Sequence, residues 1–258
     1  MSKPNFTAIS IIAILAGAGM LSGCGGTKVL KEPRPIQATQ PLAAASDQRV
    51  TATLDWVVVR DGPGTWAKNA DWDEYLLRVG NASGQPIQVL SVTVIDSLDT
   101  RIGALADRKQ LVRGSRQTAR RYKDSGIEVK AGGGAATIVA AGAAVTVIGT
   151  GAAYAAAWGA AGGTAAAASG LLLLGPAMVV GGFARGVRNS AVNGEIEERQ
   201  TTLPLVVPAG GESVLDVFFP IAPSPGMVHV VYTDATGENH LYIDTGTALH
   251  GLHIDTAR

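Results

Sequence analysis

Val50-Thr51-Ala52-Thr53-Leu54-Asp55-Trp56-Val57-Val58 sets Val50, Ala52, Leu54, Trp56 and Val58 against Thr51, Thr53, Asp55 and Val57. Side chains of an extended chain alternate between faces, so this period of two predicts a half-buried strand. Asp61-Gly62-Pro63-Gly64 closes it with turn-forming residues. Tyr75, Leu77 and Val79 alternate with Leu76 and Arg78, and Asn81-Ala82-Ser83-Gly84 forms the next turn. A third strand, rich in β-branched residues, is predicted over 87–95. Four more are predicted near the C-terminus, over about 201–207, 213–219, 227–233 and 240–244.

Seven short strands separated by turn clusters predict a mainly β protein, a seven-stranded immunoglobulin-like β-sandwich. Trp56, Tyr75, Phe218 and Tyr232 are its natural core aromatics. The sandwich is discontinuous, 49–100 and 200–246. Between its halves comes a long insertion: a basic segment over 101–130, an apolar one over 131–184 and a connector over 185–199.

The basic segment carries nine Lys or Arg (Arg101, Arg108, Lys109, Arg113, Arg116, Arg120, Arg121, Lys123 and Lys130) against Asp107, Asp124 and Glu128. A helix is predicted over about 105–124. The next roughly 54 residues hold no charged residue and no histidine, enough for two spans of about 20 residues and a turn. Small residues recur at four-residue spacing in Ala136, Ala140 and Ala144 and in Gly159 and Gly163. That spacing lets helices approach closely, and predicts an Ala/Gly-rich α-helical hairpin with Gly142, Gly149, Gly159 and Gly163 at helix contacts. Tyr154 and Trp158 fall where a membrane interface favours aromatic side chains. The hairpin resembles the glycine-zipper membrane hairpins of several bacterial envelope and toxin proteins. Three placements stay open: spanning a membrane, packing on protein as a soluble element, or self-association outside the bilayer.

At the N-terminus Lys3 precedes an apolar run over 8–21, too short to span roughly 30 Å of hydrocarbon and suited to a signal-peptide core. Leu21-Ser22-Gly23-Cys24 follows it and resembles the lipobox of bacterial lipoproteins at all four positions. The resemblance implies a signal peptide over 1–23, cleavage before Cys24, and acylation of its thiol. Cys24 is the one cysteine of the 258 residues, so no intramolecular disulfide can form. Gly25 after it implies, by the same resemblance, the periplasmic face of the outer membrane over the inner membrane. Residues 24–48, with Pro33, Pro35 and Pro41, read as a tether without a core of its own.

Charge is balanced, 21 basic against 21 acidic residues, which gives the whole molecule no electrostatic case for binding nucleic acid. Hydrophobic content of 47% with 5% aromatic reflects the alanine excess of the insert. No Gly-Lys-Ser/Thr follows the glycines at 132–134, and no Gly-x-Ser-x-Gly occurs. The histidines are His229, His240, His250 and His253; the last two read as solvated residues of a tail over 247–258, and Glu195, Glu197 and Glu198 as a solvated strand approach. No catalytic residue, cofactor or metal site is therefore expected. The expected partners are membrane lipid through acylated Cys24, a second membrane contact through 131–184, and a copy of the chain or an envelope protein. The alternative function is an accessory module of a multi-protein secretion or surface assembly, with the hairpin docked on partner helices.

Overall fold

A computed structural model describes residues 27–33, 36, 40–131 and 188–254. Eleven strands and two helices occur among them: β1 Lys28–Val29, β2 Ala43–Ser46, β3 Val50–Val58, β4 Ala67–Lys68, β5 Trp72–Asn81, β6 Ile87–Ile95, β7 Arg101–Gly103, α1 Arg108–Asp124, α2 Arg188–Arg199, β8 Leu205–Val207, β9 Glu212–Pro220, β10 Met227–Asp234 and β11 Gly237–Asp244. The protein is mainly β. One open sheet has the order β2-β3-β5-β9; another runs β11-β10-β6-β7 with β8 also paired to β6; β1 and β4 form a two-stranded ribbon. Every pairing is antiparallel.

One hydrophobic cluster joins the two larger sheets. It draws Leu54, Tyr75, Leu77, Val217 and Phe219 from one and Val89, Val94, Val230, Tyr232 and Ile243 from the other. Each is essentially inaccessible to water, and burying a side chain of this size contributes about 1.5–3 kcal/mol. The alternation expected along β3 holds to Leu54 and then breaks. The register shifts between Leu54 and Trp56, because a bulge inserts one residue and reverses the phase of the faces. Trp56 thus pairs with Leu76, on the face opposite to the Leu54–Leu77 pair.

The second face of β5 and β9 is covered too. Trp72, Glu74 and Leu76 alternate on it with Pro220, Phe218 and Asp216. Trp66, Ala67, Ala70, Leu111, Val192, Ile196 and Phe218 build a separate cluster there with Trp72. The helices close this layer. Asp107 caps α1 by accepting from the Gln110 amide at 2.8 Å, satisfying an otherwise unpaired N–H. Leu111, Ser115, Thr118 and Tyr122 form its buried stripe, at the i, i+4, i+7, i+11 spacing of one helical face. Gly114 lets α1 lie flush on β9, since a Cβ there would stand 2.5 Å from the Pro220 ring.

Several expectations are corrected. The tether does not lack a core: Lys28–Val29 pairs with Ala67–Lys68, β2 pairs with β3, and Leu42 and Ala43 are buried. The strand expected over 201–207 starts at Leu205, as Pro204 offers no amide to a ladder. The connector over 185–199 contains α2, and Glu195, Glu197 and Glu198 are helical, not part of a strand approach. The tail folds back, with Ala248, Leu249, Leu252 and His253 buried. Cys24, Gly142, Gly149, Tyr154, Trp158, Gly159 and Gly163 lie outside the described residues, as does the hairpin over 131–184 except Ala131. No helix among the described residues is long and apolar enough to cross a membrane.

Candidate functional site

The chain enters the apolar insert after Lys130 and Ala131 and leaves it through α2. Both passages are built into the β body, and several perturbed titratable groups lie beside them.

On the entry side, α1 is fastened at its C-terminal half. Arg121 donates to Asp96 at 2.7 Å, and the fully buried Asp96 carboxylate also accepts from the Leu98 and Thr100 amides at 2.9 Å each. The Tyr122 hydroxyl donates to the Pro223 carbonyl at 3.2 Å. Gly126, at φ +77°, then reverses the chain, its amide meeting the Lys123 carbonyl at 2.9 Å. Val129 bridges to Ile254, and the Lys130 amide donates to the His253 carbonyl at 3.0 Å.

His253 is the centre of this closure. Its Nδ1 sits 3.0 Å from the Lys130 carbonyl and its Nε2 2.8 Å from Asp73 Oδ2. Both side chains of the Asp73–His253 pair have no exposed surface. Burial alone would depress the His253 pKa, but the Asp73 charge and hydrogen bond, with backbone carbonyls at 130 and 131, outweigh it and raise the value above 6.5. The imidazolium can thus donate through both nitrogens, to the tail's own anchor on β5 and to the Lys130 carbonyl beside the insert. Asp73 Oδ1 and the Tyr75 hydroxyl have no hydrogen-bond partner among the described residues. Burial, and then the Asp73 charge, push the Tyr75 hydroxyl well above its usual range.

On the exit side, α2 buries Val192 and Ile196, one turn apart, against Trp66, Trp72 and Phe218. Its last residue, Arg199, pairs with Glu195 at 2.6 Å and with Glu74 at 3.5 Å, and covers the Trp66 ring at 5.0 Å. Trp66 Nε1 donates to the other Glu74 oxygen at 2.5 Å. Asp216 is diagonal to Glu74 on the same sheet face, a spacing that long side chains can bridge. Burial first, and then the Glu74 charge, push the Asp216 carboxyl up to about 10. Arg199 thus stands among three carboxyl groups, Glu195, Glu74 and Asp216, and the closeness of the two on the sheet disfavours ionising both.

These are acid–base pairs with shifted affinities, the kind of arrangement that catalysis also uses. Asp73 and His253 are closed to solvent and Glu74 is 2% exposed. They act chemically as latches, giving charged side chains at the two insert passages partners that water cannot replace.

A separate group stands on the other sheet. His229 stacks on Tyr242 with centroids 4.4 Å apart, its Nε2 is 3.1 Å from His240 Nδ1, and Arg101 lies 3.3 Å from its Nδ1. Burial, then the charges of His240 and Arg101, lower its pKa. No group of three or more potential metal ligands occurs among the described residues. Sequence reasoning named His253 and Glu195 but read both as solvated, and it passed over Asp73, Glu74, Arg199 and Asp216. The only available signals were the i, i+4 pairs Val192/Ile196 and Glu195/Arg199 in α2. Comparison of the chain with protein-family models, with curated proteins and with solved structures returns no match.

Proposed function

We propose that this protein is a lipid-anchored component of a bacterial envelope. In this reading the β body is an immunoglobulin-like sandwich that faces the periplasm as an interaction platform. The insert over 131–184 is a glycine-zipper hairpin that enters a membrane or self-associates. Cys24 carries the anchoring lipid, and the role is non-enzymatic.

The observation that carries the proposal is Leu21-Ser22-Gly23-Cys24 placed directly behind the apolar run 8–21. Two structural features support it. Lys28, four residues after Cys24, already belongs to the β1–β4 ribbon, and the adjoining Val29 packs with Val192 and Ile196 of α2. The acylated residue then stays within about 14 Å of the layer from which the insert departs, at about 3.5 Å per residue. Anchor and insert would therefore meet one and the same membrane. The latches at Lys130 and Arg199 supply a fixed base for such an element, which a free loop would lack. The antiparallel sheets with their shared core support the sandwich reading.

Growth of an expressing strain with labelled palmitate tests the anchor. Label is expected on the wild-type chain and absent from Cys24→Ser. Equal labelling of both, or labelling of neither, would refute lipidation at this residue.

A further inference from the structure

Among the described residues the outward face of α1 has no partner, and its stripe of charge is of one sign. Lys109, Arg113, Arg116, Arg120 and Lys123 are all exposed. Their spacing of i, i+4, i+7, i+11 and i+14 gathers them within an arc of about 80° at 3.6 residues per turn, in a stripe about 21 Å long. The buried residues Leu111, Ser115, Thr118 and Tyr122 occupy the opposite side. None of these five cations makes an ion pair with an acidic side chain among the described residues. Asp124 is the single acidic residue in the helix, at its last position. Five like charges along one helix face repel one another and destabilise the isolated helix, so an anionic surface is the complement that this face lacks.

The position of the stripe says what kind of surface. The helix lies in the same outer layer as α2 and the β1–β4 ribbon, because Leu111, Val112, Val192, Ile196 and Val29 share one cluster. On that ribbon Lys28 and Lys68 are register partners, both exposed. The chain on one side of this layer leads back within four residues to Cys24 and on the other forward to the uncharged insert.

We propose that the α1 stripe is an electrostatic seat for an anionic phospholipid surface, holding the β body down on the membrane beside its anchor. The proposal rests on the reading of the chain as a membrane-attached protein, and adds to it a lipid class and five named residues. Lys and Arg near an anionic leaflet each strengthen binding about fivefold at modest salt.

The test uses full-length mature chain with Cys24→Ser, mixed with vesicles of pure phosphatidylcholine or of phosphatidylcholine with about one-third phosphatidylglycerol, and separated by flotation. Preferential binding to the anionic vesicles is expected. It should fall about 25-fold with Arg113→Gln and Arg120→Gln combined. It should vanish with all five positions changed to Gln, or in about 1 M salt, where the screening length is about 3 Å. Unchanged circular dichroism and melting temperature would show that the exposed substitutions leave the fold intact. Wild-type binding equal on both vesicle types, as an acidic protein partner for the stripe would give, overturns the proposal. So does a preference that survives the fivefold substitution. The neutral vesicles separate this from the insert reading, since an inserting hairpin binds them regardless of charge.

Discussion

Replacing His253 with alanine removes the one hydrogen-bond partner that a fully buried carboxylate has among the described residues. Asp73 Oδ2 bonds His253 at 2.8 Å and Asp73 Oδ1 has no partner among the described residues, so His253→Ala leaves a buried negative charge with nothing to meet it. Removing one member of such a pair costs about 3–5 kcal/mol. For a folded unit of 150–250 residues each kcal/mol shifts the melting temperature by about 2–4 °C, giving a loss of roughly 6–20 °C. The assay is thermal unfolding of the Cys24→Ser chain in detergent, followed by circular dichroism, with hydrogen exchange at the amides of Val129 and Lys130. Those amides should exchange faster in the variant, because the Val129–Ile254 bridge and the Lys130–His253 bond tie the insert's entry to the tail. Adding Asp73→Asn should recover part of the loss by removing the orphaned charge. The effect has a direction with pH. The His253 pKa is raised above 6.5 in the folded state, so the stabilisation is complete below 6.5 and declines as pH rises through the raised value. The gap between wild type and His253→Ala should therefore narrow toward alkaline pH. A melting temperature within about 2 °C of wild type in acid, with unchanged exchange at Lys130, would refute the latch.

Asp216→Asn should flatten the alkaline side of the stability profile. The folded pKa is raised from 3.8 to about 10, so its stabilisation is complete below 3.8 and is lost progressively as pH rises toward that value; melting curves at pH 5 and pH 9 check this, and identical slopes in variant and wild type would contradict it. Gly114→Ala should lower stability by about 1–3 kcal/mol through overpacking, since its Cβ would press on the Pro220 ring at 2.5 Å; urea unfolding measures it, and a neutral result would mean that α1 is not held flush on β9. Tyr232→Phe should weaken acid resistance. At Asp47, burial pushes the carboxyl up but is outweighed by the Tyr232 hydroxyl, the Arg49 and Val50 amides and the Arg49 charge, so its pKa is lowered. The resulting stability is present above 3.8 and lost as pH falls through the lowered value. The loss at neutral pH should be on the order of 1 kcal/mol, because Asp47 is exposed to water, and an unchanged acid midpoint would count against the bond.

The fold was most legible where burial is periodic. The run 87–95 coincides with β6, and 213–219 and 227–233 fall inside β9 and β10, since alternating burial leaves its mark in the sequence itself. Tyr75, Phe218 and Tyr232 were recognisable as core residues for the same reason, and all are buried. Phe218, however, serves the helical layer and not the core between the sheets, because parity along β9 cannot tell which of two covered faces a residue joins. Trp56 is buried in that core as well, although the bulge after Leu54 sets it on the opposite face of β3, a one-residue event that period-two reasoning passes over. The latches were invisible for a deeper reason. Asp73 and His253 meet across 180 positions, and no local pattern reports a charge pair of that separation. His250 is exposed, as a solvated tail predicts, whereas His253 three residues on is fully buried. α2 was hidden by its Gly194 and by its meagre apolar content, Val192 and Ile196 being the side chains that it buries among the described residues.

We propose that, of the placements open to the insert, it acts as a membrane element that holds the chain independently of the lipid on Cys24. The most direct measurement replaces residues 1–23 with an ordinary cleavable export signal, carries Cys24→Ser, and asks whether the exported chain stays in the membrane pellet after alkaline extraction. Retention in the pellet is predicted. Complete release into the supernatant would contradict it and would place the apolar segment against protein.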